Sequence, residues 1–125
     1  MTRAARQMRV PDETHPITIN DHGETVEIYL AGQRIARSDQ ALKLAEASYP
    51  PVLYIPREDV DMTALRRRDD TSYCPYKGDA NYYDIQTGDE AAEKAVWTYE
   101  APYEAVASIR EHLAFYIDKV EVRPV

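Results

Sequence analysis

The amino-acid sequence predicts a mainly β, single-domain protein with one to three short helices. Three observations carry that expectation: apolar and polar residues alternate strictly in two early segments, a later apolar run is fenced by prolines, and turn-forming residues recur at hairpin spacing. The 125 residues suit one core and leave no room for a second. With 44% hydrophobic and 30% charged residues, the chain has enough apolar material for a core beneath a heavily solvated surface.

Residues 1–15 are polar, show neither period, and lie against Pro11 and Pro16, so they are expected to be a flexible arm preceding a domain over residues 16–125. In that domain Ile17 and Ile19 alternate with Thr18 and Asn20, and Val26, Ile28 and Leu30 alternate with Glu27 and Tyr29, which predicts two strands. Ala31-Gly32 supplies a turn, and residues 33–37 return as the second arm of a hairpin. Ser38 or Asp39 then caps an expected short helix whose apolar face is Ala41, Leu42, Leu44 and Ala45. Pro50 and Pro51 end it. Val52, Leu53, Tyr54 and Ile55 form an unbroken apolar run, as in a strand covered on both faces.

Pro56 breaks this strand, and residues 62–67 have helical propensity over a turn or two. Arg66, Arg67 and Arg68, followed at once by Asp69 and Asp70, are expected to be a solvated turn. A hairpin follows over residues 71–84, with Gly78 able to take positive φ in its loop. Past the turn at Thr87-Gly88-Asp89, residues 94–100 read as a strand with Ala95, Trp97 and Tyr99 facing inward and Trp97 as a core anchor. At the C-terminal end Val106, Ile109, Leu113, Tyr116 and Ile117 fit a helical period, while residues 113–117 also fit a strand.

Fifteen basic against twenty-two acidic residues give a net charge of −7, which repels phosphate backbones and anionic bilayers, so neither nucleic acid nor membrane is an expected partner. One cysteine and three scattered histidines provide no disulfide framework and no zinc spacing. Neither a phosphate-cradling Gly-rich pattern nor a Gly-x-Ser-x-Gly elbow occurs, so no cofactor is expected. No apolar stretch has signal-peptide or membrane-spanning length, and the expected compartment is the cytoplasm. Oligomeric state stays open.

Two stretches carry a family resemblance: Tyr-Pro-Pro-Val-Leu-Tyr-Ile-Pro-Arg-Glu-Asp-Val from Tyr49 to Val60, and Cys-Pro-Tyr-Lys-Gly-Asp-Ala from Cys74 to Ala80. With Tyr82-Tyr83, Trp97-Thr98-Tyr99, Pro102 and Ala114-Phe115-Tyr116, they resemble the domain of unknown function 427 family, sometimes labelled nucleotidyltransferase-like, over roughly residues 17–120. The resemblance implies small, curled antiparallel sheets in a tent-like (Mss4-like) arrangement, similar to folds that include methionine-R-sulfoxide reductases and zinc-binding chaperone-like domains. The paired Cys-x-x-Cys motifs of those folds are absent here. It also implies a short helix near residues 103–108 and a strand over residues 112–117, where local propensity alone says helix. No reaction comes with it.

The hairpin is the segment most suited to chemistry, because a tight turn holds its side chains on a stiff backbone. Lys77 is a candidate catalytic amine or anion clamp, with a solvent-exposed lysine paired to Asp79 as the alternative. Cys74, the sole thiol, is a candidate nucleophile if a cation such as Lys77 lies beside it; packing is the commoner role for a buried cysteine. Candidate ligand-binding residues are Arg57 and Asp59, just beyond the apolar strand, with Tyr76, Asp79, Tyr82 and Tyr83. Tyr82 and Tyr83 must face opposite sides of their strand, one to the core and one free to line a pocket. Ten of the twelve aromatic residues are tyrosine, which suits a half-wet cleft. These residues predict a pocket for a small anionic or planar ligand near residues 74–79, with a non-catalytic interaction domain or a thiol redox enzyme as alternatives.

Overall fold

A computed structural model describes residues 6–125. Ten strands form three small antiparallel sheets. The first sheet has the order β1-β4-β5, from strands Ile17–Asp21, Leu42–Glu46 and Val52–Tyr54. In the second, β10 (Glu121–Pro124) pairs with β2 (Val26–Leu30), which pairs with β3 (Gln33–Ser38). The third follows chain order, with β6 (Leu65–Cys74), β7 (Gly78–Gln86), β8 (Ala91–Thr98) and β9 (Leu113–Phe115). Among the described residues, helical structure is confined to 3-10 segments at Arg57–Asp59, Met62–Ala64 and Glu104–Ile109.

The mainly β expectation and the strands over residues 17–20, 26–30 and 33–37 stand. The helix expected after Ser38 does not form: Leu42–Glu46 is β4, pairing Ile19 with Leu44 and Leu44 with Val52. Its apolar residues also fit the two-residue period, since Leu42, Leu44 and Glu46 share one face. Strands on both sides supply the hydrogen bonds that decide between the periods. Residues 62–67 likewise give one 3-10 turn, capped by the Asp61 carboxylate on the Thr63 N–H, before β6 begins at Leu65. Arg66, Arg67 and Arg68 are therefore strand residues and not a turn. Arg67 bonds Glu100, and Arg68 bonds Asp70 and Asp84, so the basic run is matched by acid. At the C-terminal end a 3-10 segment followed by β9 replaces the long helix that local periodicity allows.

The sheets are stitched by backbone bonds outside the strands proper. Ile55 and Leu113 exchange N–H to C=O bonds of 2.8 and 2.7 Å, joining the first sheet to the third. The Asp61 N–H donates to the Ile35 carbonyl at 2.8 Å, tying the second sheet to the 3-10 loops. Two hydrophobic clusters result. The larger gathers Val26, Ile28, Ile35, Ile85, Val96 and Leu113. The smaller lies between the first and third sheets around Leu44, Tyr54, Tyr82, Tyr99, Val106 and Ile109.

Ala95, Val96 and Thr98 are all fully buried, so both faces of the C-terminal half of β8 are covered. Trp97, expected as a core anchor, is only half-buried and faces a cavity. Among the described residues no helix is long and apolar enough to cross a membrane. Of the segment expected as an arm, residues 1–5 lie outside the described residues. The Arg9 N–H donates to the Pro75 carbonyl at 2.9 Å.

Leu113→Ala removes a wholly buried side chain where two sheets meet and is expected to cost about 2 to 5 kcal/mol in urea unfolding. Ile117→Ala, at a position 80% exposed, is expected to change stability by no more than about 0.5 kcal/mol.

Candidate functional site

Between the first and third sheets lies a half-open cavity of about 210 Å³. The first sheet contributes Leu44 and Glu46 from β4 and Val52 and Tyr54 from β5. The opposite wall is Lys77 from the β6–β7 turn, Tyr82 from β7, and Trp97 and Tyr99 from β8 and its end. Tyr82 and Trp97 are direct cross-strand partners, which sets their rings side by side on one face. Tyr49, Pro50 and Tyr116 form the mouth.

The β6–β7 turn is short and fixed at both ends. The Lys77 N–H donates to the Cys74 carbonyl at 3.2 Å, and the Lys77 carbonyl accepts from the Tyr103 N–H at 3.1 Å. Gly78 has φ +105°, where a Cβ would be strained, so the turn closes only with glycine there. The lysine side chain points inward and is only 8% exposed, against the reading of an exposed hairpin lysine paired with Asp79. Its partner is Glu46, at 2.5 Å from Nζ to Oε1. Asp79 is exposed and pairs with Arg6.

Glu46 has a second partner in His15, whose Nε2 lies 2.7 Å from Oε2. The imidazole stacks flat on Tyr76, with ring centroids 4.0 Å apart and planes within 5°. An Asp12 turn presents His15: the carboxylate accepts from the Thr14 and His15 N–H groups at 2.8 and 3.1 Å. Burial pushes the Glu46 carboxyl up, but the bonds from Lys77 and His15 outweigh it and hold the group below its ordinary value.

Cys74 is half-buried, with its Sγ 3.6 Å from Lys77 Nζ. The Trp97 Nε1–H donates to the Tyr54 hydroxyl at 3.3 Å, and the two rings meet edge to face. Burial raises the Tyr54 and Tyr99 phenols far above the usual tyrosine value, so both keep their O–H at neutral pH. The Tyr82 hydroxyl is 2.7 Å from Ser72 Oγ, and Lys94 Nζ lies 4.6 Å from the centre of the Tyr82 ring.

Of the residues expected from sequence, Lys77, Cys74, Tyr76 and Tyr82 gather at or beside this cavity. Tyr83 takes the core side of its strand, in the larger cluster. Arg57 borders a different depression with Glu58, Arg110 and His112, and Asp59 accepts from Ser38 Oγ at 2.6 Å elsewhere on the surface. Sequence reasoning missed Glu46, His15, Tyr54, Tyr99 and Tyr116. For Glu46 a signal existed: with β4 as a strand, the acid falls on the inward face with Leu42 and Leu44. Among the described residues no three His, Cys, Asp or Glu side chains come together as a metal set.

Residues 18–125 match the family model described as domain of unknown function (DUF427). No curated protein matches the chain.

The linkage sign at Glu46 follows from its lowered value. A carboxyl held down in the fold adds stability that is fully present above its ordinary value of 4.5 and is lost as pH falls through the folded value. Wild type is therefore expected to lose stability on acidification below that point. Glu46→Gln, less stable at neutral pH, is expected to lose less over the same range in urea titrations at stepped pH. Parallel pH profiles would remove the carboxylate from the account.

Proposed function

We propose that this chain, which belongs to the DUF427 family, binds a small planar ligand that presents a carbonyl or carboxylate oxygen to Lys77, Tyr54 and Tyr99. One observation carries the reading: aromatic ring surface and unspent hydrogen-bond donors line the same cavity. An ammonium has three N–H donors. Lys77 directs one at Glu46 and one at Cys74, and the third has no protein acceptor among the described residues. The Tyr54 hydroxyl accepts from Trp97, and neither it nor the Tyr99 hydroxyl donates to any described residue. Donors converging on a partly dry space favour an oxygen acceptor. Glu46 spends one oxygen on Lys77 and the other on His15, so it does not stand unpaired against an incoming carboxylate. Trp97 and Tyr116, tilted 48° with centroids 4.6 Å apart, provide the surface on which a flat ligand packs.

A second reading, thiol chemistry at Cys74, is favoured by the Lys77 ammonium 3.6 Å from the sulfur. Its signature is fast alkylation of wild type by iodoacetamide at neutral pH that slows in Lys77→Met; slow alkylation of both would set it aside.

Trp97 is the chain's one tryptophan and reports on the cavity directly. Benzoate and nicotinamide are expected to change its fluorescence saturably, and cyclohexanecarboxylate to bind more weakly. Tyr99→Phe is expected to weaken benzoate by about five- to tenfold, the worth of one hydrogen bond of about 1 to 1.5 kcal/mol. Equal affinity for the flat and puckered rings, or no binding by any of them, would count against the proposal.

A further inference from the structure

Next to the tyrosine-lined cavity runs a second, larger depression of about 720 Å³, bordered by Ile28, Leu53, Ile55, Phe115, Ile117 and Val122. Among the described residues, Asp118 and Tyr116 are the ionisable ones at its edge. The two spaces share four residues: Pro50 and Val52 from the β4–β5 side, and Trp97 and Tyr116 from the third sheet. The boundary between them is thus two opposed pairs of side chains contributed by different sheets.

The two spaces differ in chemistry. The smaller holds Glu46, Lys77 and the tyrosine hydroxyls. The larger is mostly apolar, and three of its side chains, Tyr116, Ile117 and Val122, are left exposed at 36%, 80% and 36%. Apolar side chains left open beside a polar cavity mark a surface that gains when apolar matter covers it. Because the two spaces share a rim, one ligand can fill both.

We infer that the ligand is amphipathic, with a flat oxygen-bearing head between Lys77 and Trp97 and an aliphatic chain that passes the Trp97–Tyr116 rim to lie along the Ile28–Ile117–Val122 groove. This rests on the head-group reading above and deepens it by naming the ligand class. Among the described residues no cation lines the groove, so the chain of the ligand carries no second anionic group. Chain length, rather than further polar contacts, sets affinity.

The test is a titration of the intact protein with benzoate, 4-butylbenzoate and 4-octylbenzoate below their aggregation limits, read by Trp97 fluorescence and calorimetry. Affinity is expected to rise about tenfold per four carbons, well under the roughly fourfold per methylene that complete burial would give. Ile117→Asp and Val122→Asp place a charge in the groove at partly open positions. They are expected to flatten the series to within about twofold while leaving benzoate unchanged. If benzoate does not bind, the head-group reading fails and this inference with it. If benzoate binds and the chain adds nothing, the inference alone fails. A series equally steep in both variants would assign the gain to non-specific partitioning and overturn it. So would a chain-independent dimer, seen by sedimentation and abolished by Ile117→Asp, which would give the groove to a second copy.

Discussion

The ion pair between Lys77 and Glu46 is the contact on which the geometry of the site depends. Lys77 belongs to the turn that joins the first two strands of the third sheet, and Glu46 ends the central strand of the first. A lysine this deeply buried is tolerated only with a partner and further hydrogen bonds to satisfy it. The pair therefore fixes the approach of the two sheets at one end of the smaller core, as the Ile55–Leu113 backbone bonds fix it at another. Both members of the pair line the cavity, and its two walls meet where the Trp97 indole donates to the Tyr54 hydroxyl. His15 extends the network to the segment before β1, and its stacking on Tyr76 closes the side of the turn.

Much of the architecture was legible in the sequence because antiparallel strands with one wet face leave a two-residue period. That is why β1, β2, β3 and the hairpin could be placed. β4 was not, since Ala41, Leu42, Leu44 and Ala45 satisfy both periods over a short stretch, and only neighbouring strands distinguish them. The burial of both faces of β8 was hidden for a related reason: Val96 and Thr98 look like an outer face until the second sheet is in place, with Val96 in one cluster with Val26, Ile28 and Ile35. Family resemblance favoured strand over helix at residues 112–117 where composition alone would have misled.

The site was half legible. The hairpin signalled stiffness, and glycine after lysine signalled the turn, so Lys77, Cys74 and Tyr76 could be named. Strand parity required Tyr82 and Tyr83 to part, and the pairing of Tyr82 with Trp97 decides which one reaches the cavity. Glu46 could be placed inward only once β4 was a strand, and His15 left no signal, because their contacts reach residues thirty or more positions away. Arg57 and Asp59 misled in the opposite sense. They follow a buried strand, as site residues often do, but the 3-10 turn that carries them leads to Val60, which pairs with Ala36 on the β3 side, away from the tyrosines.

The most direct measurement of this account is a double-mutant cycle on Lys77→Met and Glu46→Gln, read as unfolding free energy in urea at neutral pH. Each single variant leaves one partner without its counterpart, so the double variant is expected to be less destabilised than the sum of the two by about 1 to 3 kcal/mol. Strict additivity would contradict the claim that this pair joins the sheets and shapes the cavity between them.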